Sequence, residues 1–390
     1  MNTGRYIFSQ VTDFIPRYEF DKCVARYFGD FHTRGFSCYN QFLYLLFGQL
    51  TACQSIRDVC LCLEAHRKSL YHLGISVSVD STSLTRANDK RDCRIYEDFG
   101  RHLINMVRPM YASEPVPDVN LPDYELLALD STTISCSIKL LAWALGKYSR
   151  GAVKMHTLMS LRGSIPVDIH ITHGKWHDSN MLDVMDINPN DLFVMDKAYV
   201  DFEALYRIHK AGAFFVTRAK DNMKYEVLET LESFDPVTGV RGDYIIRVTG
   251  NKSKRLYPEP MRMVVYYDTE NDRELTFITN NTEIAAIDVA NLYRNRWQIE
   301  VFFKWMKQNL TIKRLWGHSQ NAVMTQLWTS ICAYLLIALI KAQLKSPYTI
   351  TELATLLSVS ALEKISIHEL LTRQNPALIQ SQNVKELTLF

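Results

Sequence analysis

Between Asp288 and Leu310 the chain has a helical period, but its charges lie where an amphipathic surface helix would not put them. Tyr293, Arg296, Glu300 and Lys307 follow the spacing Y-x2-R-x3-E-x6-K, with Lys304 between the last two. At about 100° per residue these side chains share a strip about 80° wide. Leu292, Ile299, Phe303, Met306 and Leu310 flank it on one side; Trp297, Val301 and Trp305 flank it on the other. A surface helix normally keeps its charges opposite its apolar stripe. Charges between two apolar flanks are costly unless they pair with each other or meet a charged ligand. The spacing admits two readings: i,i+3 and i,i+4 ion pairs on a surface helix, or one half of a site.

The 390 residues allow two or three domains. A content of 47% apolar and 22% charged residues suits a globular protein with a large core. A net charge of +2 gives no global attraction to nucleic acid. Local charge says more. From Tyr293 to His318, six cations against Glu300 give +5; from Arg241 to Arg262, six cations against Asp243 and Glu259 give +4. Such clusters suit a phosphate backbone, although solvated surface cations give the same count. The eight cysteines form no C-x2-C pair or zinc-type spacing, and Asp13 and Arg17 interrupt any leader-like apolar run. Reduced thiols in a cytoplasmic protein are expected. Ile331–Ile340 is strongly apolar but short of the roughly 20 residues of a membrane span. It reads as a buried core helix, with no membrane partner.

Residues 1–110 read as a helical N-terminal domain, and the run Lys90-Arg91-Asp92-Cys93-Arg94 suggests a DNA-binding surface of helix-turn-helix type. A plain helical bundle fits as well. Tyr111–Pro122, with three prolines, reads as a linker. Strands are expected at Leu126–Leu129, Val153–Leu161, Val167–Thr172, Leu192–Met195 and Ala213–Thr217, with a helix at Phe202–Lys210. The fold class is therefore α/β. Residues 220–281 read as a β-rich insertion before one long helix, Asp288–Leu310, within a domain spanning 120–345. A helical C-terminal region, 346–390, follows, with a tail after Arg373.

Asp130 and Asp196 each end a short apolar run, and Glu300 sits on the charged strip. Either aspartate alone commonly just closes a strand into a turn. Three converging carboxylates could hold two hard divalent cations for phosphoryl transfer. His170, His173 and His177, beside Asp178, could form a metal site but read better as solvated or core histidines. Lys154 and His156 alternate on one strand face, turned toward Asp130 or toward solvent. No Gly-rich phosphate loop is present.

These residues resemble the DDE transposases of bacterial insertion sequences that carry a YREK signature (insertion sequence family four). The matching text is Leu129-Asp130-Ser131-Thr132-Thr133, Met195-Asp196-Lys197-Ala198-Tyr199-Val200-Asp201, and Tyr293 through Glu300 to Lys307. Leu84–Phe99 is similar to that group's helical N-terminal region. The resemblance implies an RNase H-like core, a mixed sheet flanked by helices, with Asp130, Asp196 and Glu300 as a catalytic and metal-binding triad. It implies two Mg²⁺ (or Mn²⁺) ions per site. Tyr293, Arg296 and Lys307 would grip DNA phosphates, helped by Lys304 and Trp297. The partners implied are double-stranded DNA with terminal inverted repeats, target DNA and a second copy of the chain, in a bacterial, nucleoid-associated setting. The group can hold a flipped base with a tryptophan in the insertion, but Lys197–Arg296 contains none. Tyr225, Tyr244, Tyr257, Tyr266 and Tyr267 are candidates to stand in for it. The expected function is DNA cleavage and strand transfer. The alternative is a transposase-derived DNA-binding protein without catalysis.

Overall fold

The computed structural model describes residues 4–136, 143, 151–231 and 236–372. The tail after Arg373 lies outside them. In chain order come helices α1 (Ile7–Thr12), α2 (Arg17–Arg26), α3 (Cys38–Leu50), α4 (Ile56–Ala65), α5 (Ser81–Lys90) and α6 (Arg94–Tyr111). Strands β1 (Glu125–Cys136), β2 (Gly151–Ser160), β3 (Ile165–His173) and β4 (Asp191–Met195) follow. Next are α7 (Phe202–Lys210), β5 (Phe214–Arg218), β6 (Tyr225–Thr230), β7 (Val240–Val248), α8 (Ser253–Leu256), β8 (Met261–Asp268) and β9 (Arg273–Thr279). The last helices are α9 (Ala286–Asn295), α10 (Trp297–Asn309), α11 (Gln320–Leu344), α12 (Ile350–Ser360) and α13 (Ile367–Thr372).

Two compact units result: Met1–Met110 with Trp305–Phe390, and Tyr111–Lys304. The boundary expected near residue 345 does not coincide with this division. The helical unit is organised by α11, whose Ile331–Ile340 stretch is buried throughout. By length and composition this helix could cross a membrane, yet 94% of its most apolar window is buried inside the protein, as a core helix requires. Gly100 lets α6 approach it: a Cβ there would lie 2.7 Å from the Trp328 ring.

In the other unit, the described strands form one mixed sheet in the order β3-β2-β1-β4-β5-β9-β8-β7-β6. β1, β4 and β5 run parallel, and the rest pair antiparallel. β4 is buried at every residue, which explains its unbroken apolar run. Leu127, Leu129, Phe193, Met195 and Phe215 belong to the core cluster of one sheet face, packed with Leu205 and Ile208 of α7. Burying such side chains stabilises by about 1.5–3 kcal/mol each.

Three expectations are corrected and a fourth is extended. Asp130 does not end its strand: β1 runs on to Cys136, held by antiparallel pairing with β2 through Cys136↔Gly151. The 220–281 segment is β-rich, and through the pairing of β9 with β5 it continues the central sheet. The long helix is two helices that part at Arg296, where the Arg296 amide and the carbonyl it leaves make i→i−3 bonds to Tyr293 and from Ile299. The presumed linker is anchored: Asn295 donates to the Pro117 carbonyl at 2.8 Å and Asn291 to that of Asp118 at 3.0 Å.

The basic cluster at 241–262 is not one surface either. Arg262 and Asp243 have side chains only 4% and 0% exposed and form a bidentate pair, 2.9 and 2.7 Å. Arg262 also donates to the Ile284 carbonyl at 2.6 Å. Removing one partner of such a pair strands a buried charge, so Asp243→Ala should lower unfolding free energy by about 3–5 kcal/mol. Urea unfolding measures this; a loss within error would mean that the pair is dispensable.

Candidate active site

Strand register brings the two aspartates together. The parallel pairing of β1 and β4 ends at Leu129↔Met195, and Asp130 and Asp196 are the next residue of each strand. Each commits one oxygen to its own backbone: Asp130 Oδ1 accepts from the Ser131 amide at 2.8 Å, and Asp196 Oδ1 from the Ala198 amide at 3.0 Å. Asp196 thereby caps the 3-10 turn Lys197–Tyr199. So the ordinary turn-closing role of Asp is real at both positions, and it leaves the second oxygen of each to point elsewhere.

Those second oxygens meet the helices. Asp130 Oδ2 accepts from Arg296 Nη1 at 3.2 Å, and Arg296 Nη2 donates to Glu300 Oε1 at 2.6 Å. Tyr293 lies with its hydroxyl 3.4 Å from Asp196 Oδ2 and its ring against Phe277 of β9. Arg296 is thus the counterion between the strand carboxylate and the helix carboxylate, and its Nε has no partner among the described residues. Burial pushes the Asp130 carboxyl up to about 6; the Ser131 amide and Arg296 pull it down, while Glu300 and Asp196 push it further up. The Tyr293 phenol is raised, first by burial.

Among the described residues the Arg296 guanidinium bridges two of the three carboxylates, and Asp196 is met by the Tyr293 hydroxyl. Among the described residues no three His, Cys, Asp or Glu side chains form a ready metal-binding group. The donor set nevertheless suits a hard divalent cation, since it consists of carboxylate oxygens alone and already draws in one cation.

The strip is flanked by apolar burial only in part. On one side Trp297 and Val301 are exposed, 54% and 44%, while Trp305 is buried; on the other, Leu292, Ile299 and Phe303 are buried. Glu300 and Lys304 are exposed on the same helix. Lys307 belongs to the helical unit, where it is half-buried and its ammonium is lowered by burial and then by Lys313. Of the five tyrosines, Tyr257 is fully buried and bonded to His209, and Tyr266 is buried and bonded to Arg294. Tyr267 is tied to Asp272, Tyr244 is half-buried, and Tyr225 is exposed on β6.

Behind Asp130 lies a polar cluster that the sequence only hinted at. Ser131 Oγ donates to Asp178 Oδ1 at 2.5 Å, and Lys154 Nζ reaches both Asp178 oxygens at 3.1 Å. His156 is 0% exposed, 3.5 Å from Asp178, and pushed down to about 4, first by burial. Lys154 and His156 thus face neither Asp130 nor open solvent. The alternation of Lys154 and His156 and the acid at 178 were the available signals. His170 pairs with Asp168 at 2.7 Å, a local contact rather than a metal set.

In the helical unit a cavity of about 840 Å³ is lined by Tyr27, Phe28, Phe31, Arg34, Arg86 and Lys90, among others. Phe28 and Phe31 are 76% and 72% exposed, and Phe28 adopts φ 52°.

A family model described as the transposase DDE domain matches residues 121–336, more than half of the chain. The chain belongs to this family. Residues 3–76 match a second model, described as a domain of unknown function. The chain is 33% identical over 221 residues to a protein from Geobacillus stearothermophilus named as a transposase for insertion sequence element IS5377. That match covers 56% of this chain and 58% of the relative, so it spans under two thirds of the relative's length. A Synechocystis protein, named as a transposase for insertion sequence element IS4SA, is 27% identical over 299 residues, 74% of this chain and 80% of its own. A cryo-EM structure of a piggyBac transposase synaptic complex with hairpin DNA gives a TM-score of 0.43 at 10% identity, over 96% of this chain and 82% of that one. That likeness is too low to carry an argument. Membership of the DDE domain family in general implies use of a divalent metal.

Because its folded value of about 6 lies above the ordinary 3.8, Asp130 destabilises the fold once ionised. The cost is absent at pH low enough to protonate it in both states, and it is complete above about pH 6. In chelator, Asp130→Asn should therefore stabilise by about 1–3 kcal/mol at neutral pH, with the gain shrinking through pH 4 and vanishing below about pH 3. Thermal melts across this pH range test this; equal melting points at neutral pH would refute it.

Proposed function

We propose that this chain is an insertion-sequence transposase of the YREK group, family four, with an RNase H-like catalytic core. The observation that supports it best is the convergence of Asp130 and Asp196, at matched positions of two parallel strands, with Glu300 around the Arg296 guanidinium. In this reading Asp130, Asp196 and Glu300 supply the carboxylate oxygens that hold two Mg²⁺ or Mn²⁺ ions. Divalent ions, when bound, supply activation of the attacking water or 3′-hydroxyl and charge neutralisation at the leaving oxygen.

The protein's own groups do the rest. Arg296, which bridges Asp130 and Glu300 here, would take a phosphate in bidentate fashion were divalent ions to neutralise those carboxylates in its place. Tyr293 would donate to the same backbone from beside Asp196. Lys304 would extend the positive track, with exposed Trp297 as a stacking face, and Lys307 would meet phosphates from the helical unit. The helical unit would bind DNA through its cavity, with Arg34, Arg86 and Lys90 on phosphates. Double-stranded terminal repeats and target DNA are the substrates, and two copies of the chain would act on two ends. Location with the bacterial nucleoid follows from that role.

A second reading, a DNA-binding protein without catalysis, draws on the Arg296 bridge, which already satisfies Asp130 and Glu300. Metal titration separates the two. On DNA carrying the flanking terminal repeats, Mg²⁺-dependent nicking by the parent and a loss of at least about a hundredfold in Asp130→Ala and Glu300→Ala are expected. Cleavage by these variants at the parental rate would refute the site. For the helical unit, Arg34→Ala with Lys90→Ala should weaken duplex binding and make the salt dependence shallower by about two counterions. An unaltered salt slope in gel shifts would move DNA binding elsewhere.

A further inference from the structure

The cluster behind Asp130 has no part in the function just proposed. It lies on the other side of the sheet. Residues directly opposite in an antiparallel pair share a face, and successive residues alternate. Ser131 pairs with His156 and Asp130 with Thr157. Ser131, His156 and, two residues along, Lys154 therefore lie on the face away from Arg296, while Asp130 points toward it.

The strand needs support at this point. Up to Leu129, β1 is held on both edges, by β2 and by β4. From Asp130 onward only β2 remains, because β4 turns away at Asp196. Ser131 makes the compensating tie. Its amide holds Asp130 Oδ1 at 2.8 Å, and its hydroxyl holds Asp178 Oδ1 at 2.5 Å. Asp178 is fixed in turn by Lys154, which also donates to the Trp176 carbonyl at 3.3 Å. The Trp176 ring packs edge-on against His156 at 4.6 Å. Asp178 opens the 3-10 helix Asp178–Asp183, which packs on the turn Lys197–Tyr199 that Asp196 caps. One carboxylate thus ties into the segments that follow both candidate ligands.

A Lys–Asp pair with side chains 13% and 28% exposed is a poor source of stability, since desolvation consumes most of the attraction. What such a pair provides is position. We infer that Asp178, braced by Lys154 and joined through Ser131, is a positioning residue that holds the Asp130 carboxylate in the orientation a divalent cation requires. This rests on the metal-site reading above. Outer partners of metal ligands act in this way generally: they orient the ligand, and their loss typically weakens metal binding about 10–100-fold.

The test is a Mn²⁺ titration followed by electron paramagnetic resonance, on the full chain with duplex DNA present, alongside cleavage of the terminal repeats. Ser131→Ala should weaken Mn²⁺ binding by about tenfold or more at unchanged melting temperature. Ser131→Thr, which keeps the hydroxyl, should restore it. Asp178→Leu combined with Lys154→Met removes the acceptor and both charges together, avoids a stranded lysine, and should match Ser131→Ala. Parental Mn²⁺ affinity in Ser131→Ala and in the double variant, or a threonine no better than alanine, overturns the proposal. If the parent binds Mn²⁺ and the variants lose it while no protein cuts DNA, the positioning role stands and the transposase reading fails. If the parent cuts DNA and the variants cut and bind Mn²⁺ equally well, only the positioning role fails.

Discussion

The parallel pairing that ends at Leu129↔Met195 is the constraint on which the site depends. It sets two aspartates side by side without any contact between them, because both are the first residues beyond the same ladder. The ladder is dependable because it is buried: β4 has no exposed residue, and a one-residue slip would turn its apolar side chains onto the wrong face. The position of Asp130 relative to Asp196 is thus guarded by hydrophobic burial.

The second element is charge balance. Asp130 and Glu300 approach each other only because Arg296 stands between them, at 3.2 and 2.6 Å. It can do so because the helix parts at Arg296, which joins α9 to α10 while keeping helical dihedrals. On the rear of the sheet Lys154 plays the same part for Asp178. Burial works against ionisation of Asp178, but the Ser131 hydrogen bond and Lys154 outweigh it and keep the carboxyl low. For Asp130 burial wins: the Ser131 amide and Arg296 do not offset it, Glu300 and Asp196 add to it, and the carboxyl is left high. Neighbouring carboxylates on opposite faces of one strand thus carry opposite shifts.

Much of this was legible in the sequence. The helix Phe202–Lys210 lies where it was expected, and β4 and β5 lie within one residue of their expected runs. The three acids and the Arg296 register were readable because helix and strand periods are local. What was not readable is non-local. Nothing in Leu129-Asp130-Ser131 says that β1 continues to Cys136; that follows from pairing with β2. Local charge counting could not foresee that Arg262 is spent on Asp243. The strip's second flank is divided for a similar reason: which side of a helix meets solvent depends on its neighbours, and Trp297 and Val301 are exposed while Trp305 is buried. Asp178 went unassigned because its partners, Ser131 and Lys154, lie 47 and 24 residues away.

The continuity of the sheet has a consequence for how such a chain can vary. Strands β9, β8, β7 and β6 are added outward from β5, each paired to the one before, and β6 at the margin is exposed at every residue. Glu226 and Glu229 on that strand discourage edge-to-edge pairing with another molecule. Growth of this kind is accretion: the exposed outermost strand, β6, can lengthen, shorten or disappear largely at the cost of its own ladder. Five strands inward from β6, the pairing of β1 with β4 would be unaffected. Divergence in reach and substrate grip can therefore collect at the far margin while the chemistry stays fixed.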